Sequence, residues 1–331
     1  MRWDETEKIL KNIWSNYRQF LILTIIIIIS YCISPTFLSH TNLFYLLRVG
    51  SIIGIAAIGM MFTVLTGGID LSISSMAALS CVLVAYFEHW NIYLGHVEQL
   101  SFIAPLPIIY LMCLGIGATF GLLWGFIISK WNLPDFAVTL AGMFILKGIS
   151  YRLPAGQTIF GVDEITIFIG AGEIGFIPFS LLVWAIVCVV AHIILNYTIV
   201  GKHTYAYGGN PPASKICGVS PLKVKMFAYA ICGLLASLVG IIYAGRTNTG
   251  DYRVGEELML NALMAVLLGG TNIFGGEGKI PGTIIGTIIV AMIFNVFDLT
   301  KLHPYPRDVL RGLMLIIIII LLIKGEKFRK A

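Results

Sequence analysis

Leu65-Thr66-Gly67-Gly68-Ile69-Asp70-Leu71-Ser72 separates two strongly apolar runs, 45–65 and 72–87, with almost no polar loop between them. Two adjacent glycines stop a helix, because each costs about 1 kcal/mol relative to alanine in a helix interior. The break therefore falls at the depth of a membrane, where irregular backbone is tolerated only against protein or a water-filled cavity. Asp70 is the only acid between Glu7 and Glu88. Two roles are open for it and Ser72: polar groups beside a path through the membrane, or a cap on the free N–H groups of the next helix.

The composition agrees with a bilayer setting. The 331 residues are 58% hydrophobic and 12% charged, against about 25% charged in soluble domains. A globule this apolar would expose hydrocarbon over most of its surface. Apolar runs at 20–38, 45–65, 72–87, 103–129, 177–200, 226–245, 280–297 and 308–323 are spanning candidates, and weaker ones lie at 134–150 and 259–270. Eight or ten crossings follow, and either even number puts both termini on one side. Basic clusters at Arg2–Arg18, Lys202–Lys225 and Lys324–Lys330 make that side cytoplasmic. The expected architecture is all-α, a polytopic helical bundle over 20–323. A cytoplasmic segment precedes it at 1–19, a cytoplasmic loop falls at about 201–225, and a tail occupies 324–331.

Other features narrow the function. The net charge of +5 comes without aromatic residues on polar loops, so nucleic acid is not an expected partner. Long spacing before the first apolar run argues against a cleavable signal peptide. The six cysteines make no metal-ligand spacing, and all but Cys217 sit in apolar runs as small hydrophobes; no metal or cofactor is expected. Gly117, Gly121 and Gly125 form a small-residue face that lets a neighbouring helix approach closely. The tract Leu315–Leu322 lacks small residues and is expected to face lipid.

Two further stretches depart from plain membrane helix. Gly269-Gly270-Thr271-Asn272-Ile273-Phe274-Gly275-Gly276-Glu277-Gly278-Lys279 again joins two apolar runs. It is not a phosphate loop, since Ile273 stands where the first glycine is needed and Ile280 follows the lysine. A tight re-entrant turn remains, and by analogy with secondary transporters two glycine-interrupted segments in opposite halves point to a central site. The third stretch, Tyr207 to Val219, carries a short helix from Pro212 and a glycine, Gly218, that can end it. A soluble partner could grip such a helix; a plain connector is the other reading. No Walker loop, His-Glu-x-x-His or nucleophile elbow occurs, so the chain is not expected to be an enzyme.

Taken together, these stretches resemble the bacterial ATP-binding-cassette permeases of the ribose and galactose type. Leu65–Ser72 is similar to that family's signature. The likeness continues through Thr139–Met143, Lys147–Ile149, Gly208-Gly209-Asn210, Cys232–Ile242 and Leu268–Thr271. The resemblance implies a permease subunit of the bacterial inner membrane that forms the path for a monosaccharide such as ribose. Its partners would be a cytoplasmic ATPase, a second permease subunit (identical or paralogous) and an extracytoplasmic sugar-binding protein. Asn210, Pro212, Ala213, Ser214 and Gly218 would form the loop that docks on the ATPase. Path-adjacent candidates are Asp70, Ser72, Asn261 and Asn295, and the helix-breaking glycines are Gly67, Gly68, Gly269, Gly270, Gly275 and Gly276. The chain departs from the family in having Ser74-Ser75 where a glycine is usual, Met259 where an acid is usual, and a polar stretch Asp298–Arg311 near its end. Alternatives are the same machinery carrying a nucleoside, an inositol or a furanose signal molecule, and an ion-coupled secondary transporter with Asp70 as the coupling acid.

Overall fold

The computed structural model describes residues 21, 23–88, 105–300 and 304–330; the expected cytoplasmic segment 1–19 lies outside them. Each of the ten apolar runs contains a helix. They are α1 (Leu23–Ile33), α2 (His40–Leu65), α3 (Ile73–Glu88), α4 (Leu106–Trp131), α5 (Asp135–Arg152), α7 (Phe179–Tyr197), α10 (Pro221–Thr247), α11 (Leu258–Leu268), α12 (Ile280–Leu299) and α13 (Pro304–Lys330). Three short helices lie between them: α6 (Glu164–Ala171), α8 (Ile199–Gly209) and α9 (Pro211–Ile216). The only strands among the described residues are two-residue pieces, β1 (Ile159–Phe160), β2 (Glu173–Ile174), β3 (Ile177–Pro178) and β4 (Thr249–Gly250).

By length and apolarity, α2, α4, α7, α10 and α12 suffice to cross a membrane on their own. The helices beside the glycine breaks are shorter. At 1.5 Å per residue, the 16 residues of α3 and the 11 of α11 reach only about 24 and 16 Å, against about 30 Å of hydrocarbon. Both are wrapped by protein instead: every residue from Ile73 to Ala85 is buried, and so is Asn261 to Leu267. Their free ends therefore meet backbone and side chains rather than lipid.

Helix α10 is the hub, packing against α4, α3, α2 and α6. The small-residue face of α4 lies directly on it. A Cβ at Gly117 would fall 2.3 Å from the Gly233 carbonyl oxygen, one at Gly121 2.1 Å from that of Tyr229, and one at Gly125 2.6 Å from the Met226 Cα. This is static close packing of two backbones. The opposite face of α4, with Ile108, Leu111, Leu122 and Leu123, is exposed. In α13 the isoleucine tract divides: Ile316, Ile317 and Ile320 are exposed, but Ile318 is buried in the core, because a helix turns one residue in each three or four inward. Cys81, Cys113, Cys188 and Cys232 are buried free thiols, whereas Cys32 is exposed along with Cys217.

Contacts sort the helix ends into two groups. At one end Arg48 of α2 donates to the Glu173 carboxylate at 2.5 Å and to the Ala171 carbonyl at 2.8 Å. Beside it, Glu88 of α3 accepts from the Asp163 amide and the Thr166 hydroxyl. Strand β1 pairs antiparallel with β4, Ile159 opposite Gly250, so the acidic segments Asp163–Glu173 and Asp251–Glu257 are joined there. In that loop a hydrogen bond from Arg253 holds the Asp251 carboxyl below its ordinary value. Its stabilising effect is present above the normal carboxylate range and is lost as pH falls through the depressed value. The Lys202–Lys225 stretch lies at the other end.

Replacing Gly121 by Leu should lower the thermal stability of the detergent-solubilised protein by at least about 2 kcal/mol through overpacking. Gly115→Ala, whose added Cβ meets nothing within 4 Å, should change it by less than about 1 kcal/mol. Thermal unfolding of both variants checks the difference.

Candidate functional site

The three stretches that interrupt the apolar pattern end their helices in the same way. At the end of α2, the Gly67 amide donates to the Val64 carbonyl and the Gly68 amide to that of Thr63. At the end of α11, Gly270 donates to Leu267 and Thr271 to Val266; after α9, Gly218 donates to Lys215 and Val219 to Ser214. This paired pattern satisfies the last carbonyls of a helix and needs one residue in the left-handed region. The glycines supply it, with φ of +75° at Gly67, +82° at Gly218 and +82° at Gly270. Gly68 and Gly269 have ordinary φ and are small for another reason. A Cβ on Gly68 would fall 2.0 Å from an Asp135 carboxylate oxygen, and one on Gly269 would strike Gly282.

The three stretches also converge in space. The Gly276 amide donates to the Leu65 carbonyl at 2.9 Å, linking the second stretch to the first. Gly208 closes the third onto both: a Cβ there would lie 1.8 Å from the Leu65 oxygen and 2.5 Å from the Gly276 nitrogen. Tyr205 of α8 donates its hydroxyl to the Gly278 carbonyl at 2.8 Å. The Asn272–Glu277 turn is tightened by its own bonds, Asn272 amide to Glu277 carbonyl and Phe274 amide to the Asn272 side chain. Backbone thus touches backbone where α2, α8 and the α11–α12 turn meet.

Directly beyond that junction stands α9. The Asn210 side chain caps it by accepting from the Ala213 amide at 3.0 Å, Pro211 and Pro212 occupy its first turn, and the Ser214 hydroxyl bonds the Pro211 carbonyl. Ser214 is buried, while Ile216 is 88% exposed at the far end of the helix. The short helix therefore begins one residue earlier than Pro212 and presents an apolar tip.

Asp70 and Ser72 are both buried and bonded to one another. The Ser72 amide and hydroxyl donate to Asp70 Oδ1 at 2.8 and 2.6 Å. They shape the start of α3. Asn261 is buried in α11 with its Oδ1 lacking a hydrogen-bond partner. Asn295 lies elsewhere: it exchanges two 2.8 Å bonds with Asn42 and so clamps α12 to α2 near the acidic end. Asp70 and Ser72 are thus brought close to the junction, and Asn295 is not.

A charge pair that sequence reasoning missed lies beside Gly68. Lys225 of α10 donates to both Asp135 carboxylate oxygens at 2.6 Å, and Tyr229 donates to Oδ2 at 2.6 Å. Both charged side chains are largely buried. The signal available was two opposite charges at the starts of apolar runs, Asp135 in the first turn of 134–150 and Lys225 immediately before 226–245. Nearby, Tyr207, Lys215 and Asn132 line a polar hollow of about 310 Å³ that reaches this pair. Removing one partner of a buried pair leaves an uncompensated charge and costs about 3–5 kcal/mol. Asp135→Ala should therefore destabilise the protein on that scale, and Asp135→Leu combined with Lys225→Met should recover most of the loss in a thermal unfolding assay.

Residues 42–319 match the family model described as the branched-chain amino acid transport system / permease component. The chain is 36% identical to the ribose import permease protein RbsC of Bacillus subtilis, over 91% of each chain. It is 32% identical to the RbsC of Haemophilus influenzae, over 92% of this chain and 91% of that one. It is also 28% identical to the L-arabinose transport system permease protein AraH of Escherichia coli, over 93% and 90% respectively. No solved structure matches it. A nearly all-helical bundle with glycine-ended helices meeting at one end thus accompanies similarity over almost the whole chain, and the protein belongs to this family of multi-pass membrane permease components.

Proposed function

We propose that this permease is the membrane-spanning subunit of an ATP-driven importer that carries a monosaccharide, such as ribose, xylose or arabinose, into a bacterial cell. The relatives' names, ribose import permease and the xylose and L-arabinose transport permeases, support that substrate class. In this reading the chain crosses the inner membrane ten times with both termini in the cytoplasm. The basic stretch Lys202–Lys225 at one end of the bundle and the acidic loops Asp163–Glu173 and Asp251–Glu257 at the other support it.

The observation that carries the mechanism is the junction of Leu65, Gly208 and Gly276. A cytoplasmic ATPase would grip α9 through Asn210, Pro212, Ala213, Ser214 and the exposed Ile216. Closure of that ATPase on ATP would move α9 and, through it, α8. Because Gly208 lies against the Leu65 carbonyl and the Gly276 amide, the motion would reach the end of α2 and the α11–α12 turn directly. Those helices flank the path, and their displacement would switch access from outside to inside. A second permease subunit would complete the path, and an extracytoplasmic binding protein would deliver the sugar to the acidic end. Asp70 serves this scheme by holding the start of α3; it need not carry an ion.

Vesicles containing the chain with its ATPase and binding protein test the reading. Uptake should require ATP and both partners, and uptake driven by an ion gradient alone would sink it. Within that assay Gly218→Val should uncouple ATP hydrolysis from uptake, since a β-branched residue at φ +82° is strained by about 1–3 kcal/mol. Gly218→Asn should retain most transport, because asparagine tolerates the left-handed region. Equal transport by the two variants would count against α9 as the coupling element.

A further inference from the structure

Between α3 and α5, under the loop Asp251–Glu257, lies a cleft of about 140 Å³. Ser74 and Ser75 of α3 form one wall, Phe144 and Lys147 of α5 another, and Tyr252 and Glu256 the rim. Lys147 Nζ lies 3.2 Å from Glu256 Oε1, and both side chains remain more than half exposed. The Tyr252 ring is held edge-on against Tyr151 at 5.1 Å.

Lys147 lies well inside α5, on a face that also exposes Phe144 and Ile145. A charge there is costly against hydrocarbon, so this face of the helix turns to water or to another subunit. The cleft therefore opens toward water or a neighbouring subunit, not toward lipid. Its chemistry suits one class of ligand. Lys147 and Glu256 cancel, which disfavours an ion, while hydroxyls, ammonium and carboxylate offer donors and acceptors to a polyol. Phe144 and Tyr252 offer apolar faces for its C–H groups. The volume is well below the roughly 300–1,000 Å³ of clefts that enclose drug-sized ligands, which favours a single small ring.

We propose that this cleft is a transfer site for one neutral monosaccharide, with Ser74 and Ser75 reading its hydroxyls. The inference rests on the transport reading above and names a sugar contact within it. The serines stand where the resembling family usually has a glycine, so the cleft is lined by hydroxyls that are this chain's own.

The test uses the assembled transporter in vesicles, with the exposed Cys32 and Cys217 replaced by serine and Phe144→Cys introduced, because Phe144 lines the cleft and is exposed. A charged thiol reagent added from outside should label the introduced thiol, and ribose, xylose or arabinose at about twice its dissociation constant or more should slow labelling about threefold or more, because occupied sites are shielded. Ribose 5-phosphate at the same concentration should not. In a separate variant, Ser75→Leu should fill the cleft and lower sugar uptake by about tenfold, the scale of one added group in a pocket. Labelling that no sugar slows, or that the sugar phosphate slows equally, overturns the proposal, as does full uptake by Ser75→Leu. If the wild-type assembly takes up none of the three sugars with ATP, the transport reading itself fails; if it does and the variants behave as wild type, only the cleft fails.

Discussion

Backbone groups buried in an apolar interior must find partners inside the protein, and the hydrogen bond from the Gly276 amide to the Leu65 carbonyl meets that demand at the end of α2 and in the α11–α12 turn at once. Neither end could lie in hydrocarbon alone. A helix that stops early leaves carbonyls unpaired, and each buried unpaired group costs about 1–3 kcal/mol. The paired glycine caps meet part of the demand locally, and the junction with Gly208 and Gly276 meets more. Close approach of the three backbones is possible because Gly208 and Gly276, on either side of the Leu65 carbonyl, carry no side chain.

From that constraint the arrangement of the bundle follows. Because α3 and α11 are too short to span, they have to be surrounded, and α2, α4, α10 and α12 supply the surround. The small-residue face of α4 draws α10 close enough for Tyr229 and Lys225 to reach Asp135 beside the Gly67–Gly68 turn. At the opposite end the link between helices is made by polar side chains, with Asn42 and Asn295 paired and Arg48 bound to Glu173. The first end thus adds direct backbone contacts between helix-ending stretches to its side-chain bonds. A push delivered at the first end is transmitted through groups with little rotational freedom, which suits a coupling role.

Asp70 shows that a lone acid in an apolar region can have a structural role. A lone acid in an apolar region invites assignment to a path or an ion site. Its hydrogen bonds to Ser72 organise the entry to α3. Polar groups with room beside them occur in the cleft bounded by Ser74, Ser75 and Lys147 and in the larger hollow beside Asp135 and Lys225.

The sequence by itself determined the ten apolar segments, the positions of the three glycine interruptions and the short helix before Gly218, because hydropathy, glycine and proline act over a few neighbouring residues. It also carried the permease resemblance, since that depends on the order of local motifs along the chain. Tertiary structure alone decided that the three interruptions meet, that Lys225 pairs with Asp135 across ninety positions, and that Asn295 is taken by Asn42 rather than left free. It also added α6 and the β1–β4 pairing at the acidic end, where short segments gain order only from their neighbours. These features depend on which helix faces approach one another, and that is set by packing at a distance rather than by local propensity.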